Sequence, residues 1–300
     1  GYALAASGIS TQGWSVPEAV NNNLELIIEA REKFPKINKI VSWGDSLGGA
    51  ISQSLSEKFD VIDAAANLHM AGSASSQFTY ANDFLWLFKT FFDPTIKGNG
   101  YASGSAGYAQ YLGDISKVLT AFGAIQAAIK ANPQTPAWPA TSQVPATMKA
   151  IPVRSAVLLI GLLSGVPVQS NTYDASSGPA GPLETSFGLA ISPALAILEN
   201  GTNAAALAVL ATQDVENQTG GAIFDNTKTD YSARVDAERV IFNAALSGNT
   251  AIDAMLGALS SANPGAPRAV ANPAAVAKMK ALHQNTGKIN VPTVLMVGLA

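Results

Sequence analysis

One serine in the chain has the neighbours that a nucleophile needs. Residues 44–48 read Gly-Asp-Ser-Leu-Gly and lie between a short apolar run and a helical pattern that starts at Leu47. This is the nucleophile-elbow arrangement, in which a strained strand-to-helix turn projects the serine hydroxyl out of the sheet. Small residues two before and two after the serine are expected to let neighbouring backbone pass closely. Ser46 is therefore predicted to be a nucleophile; the alternative is a glycine-rich loop with an incidental serine.

The helix behind this serine predicts where an oxyanion would be stabilised. It extends from Leu47 to about Lys58, and its first amides and the positive end of its dipole point back at Ser46. The backbone N–H of Leu47 is the natural first donor to an oxyanion.

Alternating strands and helices around the motif predict a parallel sheet and an α/β fold. The apolar patterns indicate strands at Tyr2–Ala6, Ile37–Trp43 and Val61–Leu68, with helices at Pro17–Glu32 and Leu47–Lys58. Ligand sites of parallel sheets form at the carboxyl ends of the strands. Ser46 falls at such an end.

After Gly72 the pattern becomes helical, and strand character returns only at Ile289–Gly298. This predicts a sheet core at residues 1–72, a mainly helical lid insertion at 73–288 and a returning core strand at 289–300. The helices expected in the insertion are Tyr80–Phe92, Ala106–Lys130, Ser142–Leu163, Leu183–Leu198, Ala204–Glu216, Asp230–Ala245, Ala251–Ser260 and Pro273–His283.

The first helix of the insertion carries an aromatic face that has two interpretations. The rings could line a pocket for an acyl or aryl group, or they could form the core of the helical insertion, as aromatic residues at helical spacing usually do. They are Phe84, Trp86, Phe88, Phe91 and Phe92.

The composition argues against several classes of protein. The 300 residues are 48% hydrophobic and 13% charged, with a net charge of −3, which offers no basic surface for nucleic acid. Cysteine is absent and only two histidines are present, so a structural zinc site is not expected. Nucleophilic chemistry at a serine needs neither a metal nor another cofactor, and none is expected. The longest apolar run, Ala156–Leu163, is shorter than the ~20 residues that span a bilayer, so we expect no integral membrane segment.

These features together resemble the α/β-hydrolase fold, and in particular a group of bacterial esterase-like and lipase-like serine hydrolases with a large lid. The resemblance extends over most of the chain but is carried by short motifs. They are Trp43–Gly49, Phe88–Phe92, Gly220-Gly221 with Asn226-Thr227 and Asp230-Tyr231, and Gly287–Pro292.

In such enzymes the catalytic residues follow the order serine, acid, histidine, with the acid after the strand that follows the lid. The resemblance therefore implies that the core is incomplete here, with the acid and the histidine after Ala300. An assignment within the chain uses His283 as base and Asp253 as its orienting acid. His69 is expected to be a hydrogen-bonded structural histidine, and Asp45 a local turn stabiliser.

The resemblance implies hydrolysis of a carboxylic ester with a hydrophobic acyl or aryl part, through an acyl-enzyme at Ser46. The substrate would be a small or polymeric ester, with interfacial contact through the lid. Low charge and abundant small polar residues suit a secreted or extracytoplasmic bacterial protein. The alternatives are a serine peptidase or acyltransferase of the same fold, and a binding protein that keeps the fold without catalysis.

Overall fold

The protein combines helices with a small parallel sheet in this computed structural model. The structure describes residues 2–11, 13–170, 172–173, 191–235 and 267–296. By internal contacts the chain divides into two compact units, Gly1–Gln77 with Pro273–Leu299, and Phe78–Asn272.

The first unit contains a three-stranded sheet in the order β1-β2-β3, with every pair of strands parallel. The strands are β1 (Val41–Asp45), β2 (Ala64–Leu68) and β3 (Thr293–Met296). In the register, Asp45 lies opposite Leu68, and Leu68 lies opposite Met296, so all three strands end at one edge of the sheet. This edge carries Ser46.

Three helices accompany this sheet: α1 (Val16–Lys33), α2 (Leu47–Lys58) and α9 (Pro273–His283). The alanines of β2 let α2 pack closely on the strands, and α1 packs on both α2 and α9. The chain after α9 is tied to α2, because the side-chain amide of Asn285 donates to the Ala50 carbonyl and Glu57 accepts the amide of Gly287. The sequence division placed 273–288 in the helical insertion, whereas these contacts place it with the sheet.

The second unit is helical in its described residues. Its elements are most of α3 (Ala74–Phe92), then α4 (Gly104–Ala131), α5 (Ala146–Lys149), α6 (Val153–Ser164), α7 (Ile191–Ala206), a π-helical turn (Leu207–Ala211), α8 (Thr212–Thr219) and a 3₁₀ turn (Ser232–Val235). Every residue of α6 is buried, which makes this apolar helix the centre of the core. Helices α3, α4 and α7 supply most of the remaining core side chains.

Three sequence expectations about the elements were wrong. Residues 2–6 form no strand: Tyr2 and Leu4 are fully or almost fully exposed, and strand propensity alone does not order an unpaired segment. The helix expected at Ser142–Leu163 is interrupted before Val153, because Pro152 cannot continue the preceding helix. The two helices expected on either side of Gly201 are one continuous run, since that glycine packs against the Phe84 ring instead of breaking the helix.

Within the part of the chain that the structure describes, two helical stretches are long and apolar enough to cross a membrane by length and composition alone: Gly104–Ala131 and Pro193–Thr219. Of their most apolar windows, 33% and 61% of the residues are buried within the protein. Buried core helices pass the same test, so the length and composition of these two helices are weak evidence for a membrane span.

The helices expected at Ala251–Ser260 and over most of Asp230–Ala245 lie outside the described residues.

Candidate active site at the Ser46 turn

Ser46 connects β1 directly to α2 and adopts a backbone conformation that non-glycine residues rarely occupy. Its φ is 52° and its ψ is −116°. A residue held in such a region stores on the order of 1–3 kcal/mol of strain, and strain of this kind concentrates at functional sites. The sequence prediction of a serine on a tight strand-to-helix turn is confirmed.

Close backbone packing explains one glycine of the motif but not the other. A Cβ added to Gly44 would lie 2.3 Å from the carbonyl carbon and oxygen of Gly48. A Cβ added to Gly48 would meet nothing within 4 Å, whereas one added to Gly49 would lie 3.0 Å from the Leu68 carbonyl oxygen. The tight approaches are therefore at positions 44 and 49, and the expectation of a steric need for glycine at 48 was wrong.

Backbone hydrogen bonds fix the serine turn against the end of β2. The Ser46 amide donates to the Leu68 carbonyl at 2.9 Å, and the Ala71 amide donates to the Ser46 carbonyl at 3.3 Å. The same Ser46 carbonyl accepts the Ala50 amide at 3.3 Å, which begins α2. The loop at residues 69–71 therefore lies beside the serine.

The start of α2 leaves polar N–H groups available next to the Ser46 hydroxyl. Leu47 is the first residue of the helix, so its N–H has no partner within the helix. No side chain caps this end, and the first turn contains no acidic residue. The positive end of the helix dipole thus lies beside an exposed serine, which is the kind of environment that stabilises a developing oxyanion.

His69 and Asp45 form a pair at the same sheet edge. The His69 Nδ1 atom lies 2.7 Å from Oδ1 of Asp45, and both side chains are more than half exposed. The His69 amide donates to the Met296 carbonyl at 2.7 Å, and its φ of 43° is a second strained conformation near Ser46. The pairing of these two residues was not predicted from the sequence. The available signal was that each stands at the end of one of two adjacent parallel strands.

His283, the base of the assignment within the chain, occupies a different environment. It ends α9 with 2% exposure, and neither ring nitrogen has a hydrogen-bond partner among the described residues. Burial, with a smaller contribution from the Lys58 charge, lowers the pKa of His283 to about 4, so the ring is neutral near pH 7. Asp253, its expected partner, lies outside the described residues. The structure thus brings His283 to neither Ser46 nor a carboxylate within its described part.

The aromatic residues of α3 are core residues. All five are at most 3% exposed, and Phe84 and Phe88 pack against the Phe122 ring of α4 at centroid distances of 6.0 and 4.6 Å. Of the two interpretations of this face, the structure supports the helical core.

The second unit has a separate cavity of about 570 Å³ between α4 and α7. Phe122, Tyr173 and Glu199 are among the residues that line it, but its described lining contains neither serine nor histidine. In the described ranges, no three histidine or acidic side chains come together as a metal ion would require. The Ser46 edge is therefore the strongest candidate site.

Comparisons of the chain with protein-family models, curated proteins and solved structures gave no match.

Proposed function

We propose that the protein is a serine hydrolase of the α/β-hydrolase type, which cleaves a carboxylic ester through an acyl-enzyme at Ser46. The observation that carries the proposal is the backbone of Ser46, held at φ 52° between a parallel strand and a helix N-terminus. The strain falls on an exposed serine, where it has no evident structural benefit. In a nucleophile elbow such strain serves to project the serine hydroxyl out of the sheet.

In this mechanism the Ser46 oxygen attacks the ester carbonyl and gives up its proton to a base. The carbonyl oxygen becomes an oxyanion beside the Leu47 N–H and the positive end of α2, which lowers the energy of the tetrahedral intermediate. Collapse of the intermediate releases the alcohol, and water then cleaves the acyl-enzyme to free the acid and Ser46.

The substrate proposed is an ester with a hydrophobic acyl or aryl part. The buried aromatic residues of α3 do not support this preference. Support comes from Leu47 and Met70, two partly exposed apolar residues that neighbour Ser46 and His69 in the chain. Apolar surroundings beside a few polar groups are typical of sites for small ligands.

A binding protein without catalysis is the second candidate. It is favoured by one observation: among the described residues, no hydrogen bond joins the Ser46 hydroxyl to an imidazole. Measured turnover would exclude it.

Hydrolysis of p-nitrophenyl esters with short, medium and long acyl chains tests the proposal. We expect burst kinetics, an acyl group that hydroxylamine releases, and a preference for acyl chains longer than acetyl. Ser46→Ala should abolish all three, whereas Ser116→Ala, which removes an exposed serine of α4, should change nothing. Turnover that survives in Ser46→Ala at the wild-type rate would contradict the assignment of the nucleophile.

A further inference from the structure

The pairing of His69 with Asp45 fixes which nitrogen of the imidazole is available. A neutral imidazole has one N–H donor and one acceptor, and the nitrogen that faces a carboxylate carries the hydrogen. With Nδ1 held 2.7 Å from the Asp45 oxygen, the free lone pair is on Nε2. This is the tautomer in which a carboxylate prepares a histidine to accept a proton from a nucleophile.

Backbone hydrogen bonds place the loop that carries His69 next to Ser46. Leu68, before His69, accepts the amide of Ser46, and Ala71, two residues after it, donates to the carbonyl of Ser46. The His69 amide is held in turn by Met296 of the next strand. The loop that carries the imidazole is thus anchored to the serine itself and to β3.

We propose that His69, oriented by Asp45, is the general base that removes the proton of Ser46. This inference rests on the proposed function. It deepens that proposal because it places the general base on the loop after β2 instead of after Ala300. Among the described residues no hydrogen bond joins the Ser46 hydroxyl to the His69 ring. Both side chains are exposed, and catalytic hydrogen bonds often tighten only when substrate is bound, so we expect this contact to form in the substrate complex.

His283, the other histidine of these 300 residues, is buried and is therefore not placed to serve as this base. The order Asp45, Ser46, His69 differs from the usual orders of such residues. Catalytic triads nevertheless share geometry and roles, and unrelated folds reach them with different orders along the chain.

Each proton transferred in this reaction has a donor and an acceptor among Ser46, His69, the substrate and water. The Ser46 oxygen forms a bond to the carbonyl carbon, its proton moves to Nε2, and the carbonyl π electrons become the oxyanion lone pair. The imidazolium is stabilised by Asp45 and returns the proton to the departing alkoxide as the C–O bond breaks. Water repeats the cycle, with Nε2 as base and then as acid.

The test compares the rate of fluorophosphonate labelling and of p-nitrophenyl acetate hydrolysis in matched variants. We expect His69→Gln and Asp45→Asn to slow both reactions by about 10²–10⁴-fold. The control is Asp60→Asn, which removes an exposed carboxylate elsewhere and should leave both rates unchanged. The acidic limb of the wild-type pH–rate profile should be lost in His69→Gln.

Chemical rescue separates a base from a structural residue. His69→Gly is compatible with the positive φ at this position, and added imidazole should restore part of its labelling rate. Circular dichroism verifies that each variant is folded.

The outcomes distinguish this inference from the proposed function. Wild-type labelling at Ser46 with an unchanged rate in His69→Gln would overturn the inference and leave the hydrolase proposal standing. A folded wild-type chain that is not labelled would overturn both.

Discussion

The amide of Ser46 donates to the carbonyl oxygen of Leu68 across 2.9 Å, so the serine turn is held by the end of the neighbouring strand. The Ser46 carbonyl also accepts a hydrogen bond from the Ala71 amide. His69 and Met70 lie between Leu68 and Ala71 in the chain, so they have little freedom to move away from the serine. This backbone arrangement connects Ser46, the proposed nucleophile, with the loop that carries His69 of the Asp45–His69 pair.

Strain at Ser46 predicts that activity and stability oppose each other at this position. Ser46→Gly should raise the free energy of unfolding by about 1–2 kcal/mol, because glycine adopts positive φ without steric cost. Ser46→Ala should give no such gain, although both variants lose the hydroxyl. Urea unfolding checks this; a glycine variant less stable than wild type would argue against strain.

The glycines of the motif should differ sharply in their tolerance of a methyl group. Gly44→Ala places a Cβ 2.3 Å from the Gly48 backbone and should cost about 2–3 kcal/mol, with a matching loss of labelling at the displaced serine. Gly48→Ala is the matched control, since its Cβ enters open space in a helix and should cost nothing. Thermal unfolding of the two variants measures the contrast. Equal losses of stability would contradict the close approach at position 44.

The elements that contiguous sequence patterns mark could be predicted. Helix α2 begins and ends at the predicted residues, and α1 differs by one residue at each end, because glycine, proline and apolar spacing mark these elements directly. The serine turn was predictable for the same reason, since its motif and its strand-to-helix context are contiguous in sequence.

Features that depend on packing between distant residues could not be predicted. The need for glycine at position 44 arises from its contact with Gly48, and glycine at 201 is explained by the Phe84 ring. The sequence could place Asp45 and His69 at the ends of neighbouring strands, but their direct contact depends on the register of the two strands, which no local pattern fixes.

Buried His283 predicts loss of stability in mild acid. Its pKa is about 4 in the folded protein and close to 6.5 in an unfolded chain, so between these values the unfolded state binds more protons. The free energy of unfolding should therefore fall as pH drops from about 6.5 to 4, by at most ~3 kcal/mol, with no contribution above that window.

Urea unfolding at several pH values measures this effect. His283→Leu removes two buried nitrogens without partners and should flatten the dependence between pH 6.5 and 4. The same slope in wild type and variant would show that another group is responsible.

Asp83 anchors an ion pair in the helical unit. Its buried carboxylate accepts hydrogen bonds from the Tyr231 hydroxyl at 2.6 Å and from Arg234 at 2.8 Å. Arg234→Ala should cost about 3 kcal/mol, because it leaves a buried carboxylate without its cation. The double variant Asp83→Ala, Arg234→Ala should lose less than the sum of the two single changes. Additive losses in a double-mutant cycle by chemical unfolding would mean that the pair is not coupled.

Localising fluorophosphonate labelling by mass spectrometry tests whether Ser46 is an activated nucleophile. We expect a single modified peptide that contains Ser46 in the folded protein, lost on prior unfolding and absent from Ser46→Ala. A folded protein that resists the reagent, or one labelled at other serines with Ser46 unmodified, would contradict the claim that Ser46 is an activated nucleophile.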